Sequence, residues 1–201
     1  MTILTNTEQC DHDQHAYQNP YDCIIFYRWF TITQDGQQHS DRGLVMARAV
    51  ADTLSRSFGI TVWLDQYQMS RDATREQVLS GIHKAFQGVR YVIILAAPGD
   101  WDRFVNDDDI HRWEWEISLK SGKPVWVLQY DTKICPPNTA SRSGGGGLLL
   151  RQLSLVHELL LFSNRLAELA FERKLEVRNL TAENFYTTLE EIAQIQMLVS
   201  V

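Results

Sequence analysis

Four short apolar runs, at residues 21–27, 60–64, 91–95 and 125–128, alternate with stretches of helical spacing, and this alternation restricts the chain to very few architectures. The first run holds Cys23, Ile24, Ile25 and Phe26 without a polar break, as a parallel strand buried on both faces does. After it, Leu44, Val45, Ala47, Val50, Ala51 and Leu54 recur at the helical period, and Gly59 stands where a helix C-terminal glycine belongs. Leu79, Ile82, His83 and Phe86 form a second stripe closed by Gly88, and residues 110–121 form a third. Residues 29–42, with Gly36, and 65–72 are polar and read as loops. The order β-α-β-α-β-α-β with short connections predicts a doubly wound α/β domain, a parallel sheet with helices on both faces.

Regularity fades after Tyr130. The expected organisation is a polar tail over 1–19 and a single domain over 20–201, with a flexible glycine-rich loop at 136–147. Residues 148–175 are rich in leucine, and the core at 159–162 fits either a fifth strand or part of a helix, which periodicity does not decide. Residues 181–198 predict a closing helix with Phe185, Leu189, Ile192 and Ile195 on one face. There are no internal repeats.

A net charge of −6 argues against broad nucleic-acid binding, because neutralising phosphates takes clustered Lys and Arg. No apolar run is long enough to span a bilayer, and the polar N-terminus has no signal-peptide core, so neither a membrane nor export is expected. Cys10, Cys23 and Cys135 are too few and too scattered for a disulfide framework or a zinc site, and Cys23 reads as a small core hydrophobe. His12 and His15 have helical spacing but sit in a polar tail, so no metal is expected. The reading is a reduced, soluble, cytoplasmic protein.

The chemistry-bearing stretch runs from residue 91 to 128. A buried strand ends at a Pro98-Gly99 turn, the acidic loop 106–109 follows, and then come Trp113, Glu114, Trp115 and Glu116. A carboxylate among tryptophans just past the carboxyl end of a buried strand lies where open α/β sheets bind ligands. Asp107–Asp109 lacks the spacing and glycine of a calcium loop and reads as a solvated acidic loop. The glycines after Ser143 are not followed by the Lys-Ser/Thr of a phosphate loop. The first strand runs into Arg28, Trp29 and Phe30 with no G-x-G-x-x-G, which argues against a dinucleotide held as a redox cofactor.

Four blocks in this order resemble the TIR (Toll/interleukin-1 receptor) domain family, whose fold is a flavodoxin-like parallel sheet of about five strands. Residues 21–28, opening on Tyr21 and Asp22 and ending on Tyr27 and Arg28, resemble its first strand; residues 59–65, ending on Asp65, resemble the second. Residues 89–95 resemble the third, and Trp113-Glu114, nine residues before Lys123-Pro124, resembles the helix bearing the catalytic glutamate of enzymatic members. The chain departs from the family pattern at Ala96, where a serine is usual, at Asp72, where a glycine is common, and at Ile110, where a tryptophan usually stands four residues before the glutamate. Spacing to residues 122–124 and the small Ser118 favour Glu114 over Glu116 as the equivalent residue.

The resemblance implies cleavage of NAD+ as a substrate, by hydrolysis or cyclisation to an ADP-ribose signal in immune or antiphage defence, with no cofactor. Nicotinamide leaves carrying its own positive charge, so the chemistry needs a carboxylate beside an oxocarbenium-like ribosyl centre rather than an acid on the leaving group. Glu114 takes that role, with Glu116 as second choice. Tyr27, Arg28, Trp29, Phe30, Asp65 and Trp113 are the implied substrate-binding residues: aromatic walls for the pyridinium, Arg28 for the pyrophosphate, and Asp65 on a loop that gates the site. Implied partners are further copies of the chain through TIR–TIR contacts, with activity rising on assembly, and a downstream effector that senses the nucleotide product. The alternative is a non-catalytic interaction module that works by assembly alone, in which residues 65–72 are a contact surface and changing Glu114 leaves function intact.

Overall fold

The computed structural model describes residues 21–29, 31–32, 38–39, 42–70, 72–97, 100–130, 147–173 and 175–198. The elements in chain order are β1 (Cys23–Phe26), β2 (Thr31–Ile32), β3 (Gln38–His39), α1 (Arg42–Phe58), β4 (Val62–Trp63), α2 (Asp65–Gln68), α3 (Arg75–Gly88), β5 (Tyr91–Ala96), a 3-10 turn (Asp100–Arg103), α4 (Ile110–Lys120), β6 (Val125–Tyr130), α5 (Gly147–Leu160), α6 (Asn164–Glu172), β7 (Glu176–Leu180) and α7 (Phe185–Leu198). Phe30, the tail over 1–19 and residues 136–146 of the expected glycine-rich loop lie outside the described residues.

Five strands form one all-parallel sheet in the order β4-β1-β5-β6-β7, the flavodoxin-like arrangement expected of a doubly wound α/β chain. The register aligns Cys23 with Tyr91 and Phe26 with Ile94, then Val92 with Val125 and Ala96 with Gln129. Strand alternation divides the core in two. Ile24, Phe26, Val92, Ile94, Val125, Val127 and Val177 face α3 to α6, meeting Phe86, Trp115, Leu155 and Leu166. Cys23, Ile25, Tyr91, Ile93, Leu95, Trp126 and Leu128 face α1 and α7, meeting Val50, Leu54, Leu189 and Ile192. Burial on both faces is why β1 and β5 read as unbroken apolar runs.

Helix ends follow local chemistry. Gly59 ends α1 at φ +68°, where a side chain would be strained, and its N–H bonds the Ser55 carbonyl at 3.2 Å. Thr74 caps α3 in a reciprocal box with Gln77. Gly43 sits so close to β1's exit that a Cβ there would overlap the Arg28 carbonyl oxygen, and this lets the first turn of α1 lie on the Arg28 backbone.

Several expectations need correction. The loop over 29–42 carries a short antiparallel ribbon, Thr31 opposite His39 and Ile32 opposite Gln38. Residues 65–72 open with a helical turn, α2, rather than running entirely as loop. The leucine-rich stretch is not a strand: it makes α5 and α6, the latter capped by Ser163, whose hydroxyl accepts from the Leu166 N–H. The fifth strand is instead β7, an edge strand pairing Trp126 with Glu176 and Tyr130 with Leu180. On α7, Leu189 and Ile192 are buried and Phe185 packs against the core as expected, but Ile195 is 41% exposed while Gln196 is buried. Among the described residues, no helix is long and apolar enough to cross a membrane.

Candidate functional site

Three segments leave the carboxyl edge of the sheet at the point where the strand order reverses, between β1 and β5. They enclose a cleft of about 300 Å³, at the low end of ligand-pocket sizes and enough for one ring-sized group. β1 delivers Tyr27, Arg28 and Trp29; β4 delivers Asp65; and the start of α4 delivers Asp109, His111 and Glu114. Arg75, Val78 and Ile82 of α3 and Arg103 of the 3-10 turn complete the wall.

Glu114 is 5% exposed, and helical spacing sets His111 one turn before it and Ser118 one turn after. The Glu114 Oε2 lies 2.8 Å from His111 Nδ1, and the Trp115 indole N–H donates to His111 Nε2 at 3.3 Å. An indole nitrogen can only donate, so Nε2 is the acceptor and the neutral ring carries its proton on Nδ1, donated to Glu114. Burial, and then the Arg28 charge, pushes the His111 pKa down to about 3, so the imidazole is neutral at physiological pH. Burial and then the nearby Asp65 charge raise Glu114 well above the usual carboxylate range. Trp101, Phe104 and Trp115 pack edge to face behind this pair, with Trp101 centred 5.2 Å from Trp115 and 5.4 Å from Phe104.

Asp65 lines the same cleft. Its carboxylate accepts from the Tyr27 hydroxyl at 2.8 Å, the Trp29 indole at 2.5 Å and the Gln66 N–H at 2.6 Å. Burial nevertheless raises its pKa, because the three donors do not fully replace lost water. Burial, then the Asp65 charge, raises the Tyr27 phenol as well.

Arg28 is committed elsewhere. It pairs bidentately with Asp109, Nη1 to Oδ2 at 2.8 Å and Nη2 to Oδ1 at 3.0 Å, with both side chains almost wholly buried. Its guanidinium also lies 5.5 Å from the centre of the Phe104 ring. Burial alone would raise Asp109, but the bonds and charge of Arg28 outweigh it and hold this carboxyl below its ordinary value. Asp109 also caps α4, accepting from the Arg112 N–H at 2.9 Å. The solvated-loop reading of Asp107–Asp109 therefore holds for Asp107 and Asp108, which are exposed, and fails for Asp109.

The cleft thus gathers Tyr27, Arg28, Trp29, Asp65 and Glu114 from the residues singled out by sequence. Trp113 is not among its lining; it packs, half-buried, against the core. Glu116 turns outward and pairs with Lys120 at 3.1 Å, Arg165 at 3.5 Å and Arg112 at 3.6 Å. His111, Asp109, Arg75 and Arg103 were not anticipated. His111 had a signal in its spacing three residues before Glu114, and Asp109 in standing directly before a helical stripe. Among the described residues no cluster of three or more His, Cys, Asp or Glu is placed to hold a metal ion. No family model, curated protein or solved structure matches the chain.

Proposed function

We propose that this chain is a TIR-like NAD+-cleaving enzyme whose essential residue is Glu114. The observation that carries the reading is a carboxyl with no Lys or Arg at ion-pair distance among the described residues, buried on the wall of the cleft at the sheet's switch point with a second carboxyl, Asp65, on the same lining. Such a site favours a ligand that brings positive charge. The pyridinium of NAD+ does so, and its approach lowers the Glu114 pKa, so the carboxylate forms when substrate arrives. The bond from the ribose anomeric carbon to the nicotinamide nitrogen breaks with its electron pair going to nitrogen, which neutralises the ring. The ribosyl cation left behind lies against the Glu114 carboxylate, with Nδ1–H of His111 holding that carboxylate in place. Water captures the cation and loses a proton, giving ADP-ribose, or a nitrogen of the substrate's own adenine captures it, giving a cyclic product. Trp29, 41% exposed at the mouth and tied to Asp65, supplies an aromatic face for the ring.

The second reading is a module that works by assembly, and the exposure of Trp29 together with Tyr67 of α2, 49% exposed, favours it. Chromatography of NAD+ incubated with graded concentrations of protein separates the two. The expected result is nicotinamide release whose specific activity rises with concentration, reduced at least about a hundredfold in Glu114→Gln and retained in Glu116→Gln. Release that survives in Glu114→Gln removes Glu114 as the essential residue, whereas none from wild type at any concentration counts against the enzyme and favours assembly.

A further inference from the structure

We infer that Arg75 and Arg103 form an anion subsite at the mouth of the cleft that takes the diphosphate of a dinucleotide, while its cationic ring lies inside against Glu114 and Asp65. The inference rests on the proposed reading for the identity of the ring, and on the cleft's own charge layout for the anion. Three arginines line the cleft, but they are not equivalent. Arg28 is buried, at 6% of its side-chain surface, and its charge is already met by a bidentate bond to the buried Asp109 carboxylate. Arg75 and Arg103 are about half exposed, at 50% and 46% of their side-chain surface.

The partners of these two leave donors to spare. Arg75 donates Nη2 to the Asp108 carbonyl at 2.6 Å, and its Nη1 stands 3.7 Å from the Asp108 carboxylate, which is itself 96% exposed. Arg103 stands off from Asp109, with its Nε 3.7 Å from Oδ2, and Arg28 holds both carboxylate oxygens. A guanidinium has five N–H donors, so most of each fork is available. The acidic partners are consecutive residues, Asp108 and Asp109, whose Cα atoms are about 3.8 Å apart. Two forks anchored to adjacent residues suit two linked phosphates better than one. The layout has two arginines at the rim against one carboxylate, Asp108, over an interior that holds Asp65 and Glu114. A ligand with a positive head and a negative tail complements it, and a nucleotide with a neutral ring complements only half.

The test is calorimetric binding of ADP-ribose, which has the diphosphate and no cationic ring, to wild type, Arg75→Gln, Arg103→Gln and the double variant. Arg56→Gln, on the exposed end of α1, is the control. Each rim substitution is expected to weaken ADP-ribose on the order of tenfold or more, the double variant further, and Arg56→Gln not at all. Adenosine, without phosphates, should respond to none of them. With NAD+, the rim variants should raise KM while leaving kcat near wild type. ADP-ribose binding unchanged in both single variants and the double, or weakened equally in Arg56→Gln, overturns the subsite. So does a wild type that fails to bind ADP-ribose at millimolar concentration. If ADP-ribose binding depends on the rim arginines but NAD+ is never consumed, the subsite stands and the cleavage reading falls. If NAD+ is consumed with Glu114 required and KM ignores the arginines, cleavage stands and the subsite falls.

Discussion

Replacing Asp109 by Asn should unfold this protein more easily than its size of change suggests. Asn is as good a helix N-cap as Asp, so the bond from the Arg112 N–H survives the substitution. What disappears is the counter-charge of Arg28, whose side chain is 6% exposed and has no other carboxylate at contact distance among the described residues. Breaking a buried pair by removing one partner costs about 3–5 kcal/mol, because the remaining charge stays out of water. For a chain of about this length each kcal/mol moves the melting temperature by about 2–4 °C, so a drop on the order of 10 °C is expected. Asp109→Ala should lose about 1 kcal/mol more, since it also removes the cap. Adding Arg28→Met to Asp109→Asn should recover most of the loss, as no uncompensated charge is then left. Urea unfolding with an unchanged slope is the assay. The gap between wild type and Asn should also depend on pH. Asp109 titrates below its ordinary 3.8 when folded, so its contribution is present above that pH and is lost only as pH falls below it. A loss under about 1 kcal/mol for Asp109→Asn, or a double variant no more stable than the single, would show that the pair does not hold β1 to α4 as argued.

Glu114→Gln should be more stable than wild type above pH 4.5, by an amount that grows with pH: the folded pKa is raised, so wild type's contribution is full below 4.5 and declines as pH rises. Equal stability of the two proteins from pH 5 to 8 would contradict this. His111 has the opposite sign, since the unfolded chain takes a proton between pH 6.5 and about 3 that the folded chain refuses. Wild type should therefore lose about 1.4 kcal/mol per pH unit from this group on acidification, a slope that His111→Gln removes and that chemical denaturation at stepped pH can read. Gly43→Ala should destabilise the fold and depress NAD+ turnover together, because the new methyl forces the Arg28 backbone away from α1; full activity with native stability would refute that coupling. Trp113→Phe should leave KM for NAD+ unchanged, since Trp113 packs on the core instead of lining the cleft.

Sequence made the central sheet legible because β1, β5 and β6 are buried on both faces, and such strands leave unbroken apolar runs. β7 escaped because it is an edge strand: Glu176, Arg178 and Asn179 interrupt Val177 and Leu180, so the local pattern looks polar. Leucine at 159–161 suited two structures, and the outcome was set by Ser163 capping a second helix rather than by hydrophobicity. At the site, spacing to residues 122–124 and the small Ser118 favour Glu114 over Glu116, and helix geometry sets the two on different faces. The Arg28–Asp109 pair could not be read the same way. Its members lie 81 residues apart, and nothing in either neighbourhood announces the other. Arg75 and Arg103 were equally silent, because an exposed arginine has the same sequence signature whether or not it borders a cleft.

The first two turns of α4 contain their own comparison. Asp109 and Glu114 are both buried carboxyls near the start of one helix, on the same cleft, yet their acidities move in opposite directions. Asp109 has what structural burial requires: a bidentate arginine and a backbone N–H, and it stays ionised. Among the described residues Glu114 has an imidazole N–H and the charge of a second carboxyl nearby, and burial drives it towards the neutral form. Gln in its place would keep an acceptor for the His111 proton without the cost of burying an acid. A fold selected for stability alone therefore gains nothing from this glutamate. Among the described residues no Lys or Arg stands at ion-pair distance of Glu114 to offset that cost, which is what the proposed cationic substrate would do. The same reasoning applied to Asp65, buried and raised despite three donors, points the same way. Two carboxyls on one cleft, both pushed up by burial while a third nearby is held down by an arginine, are what the proposal of a cationic substrate expects.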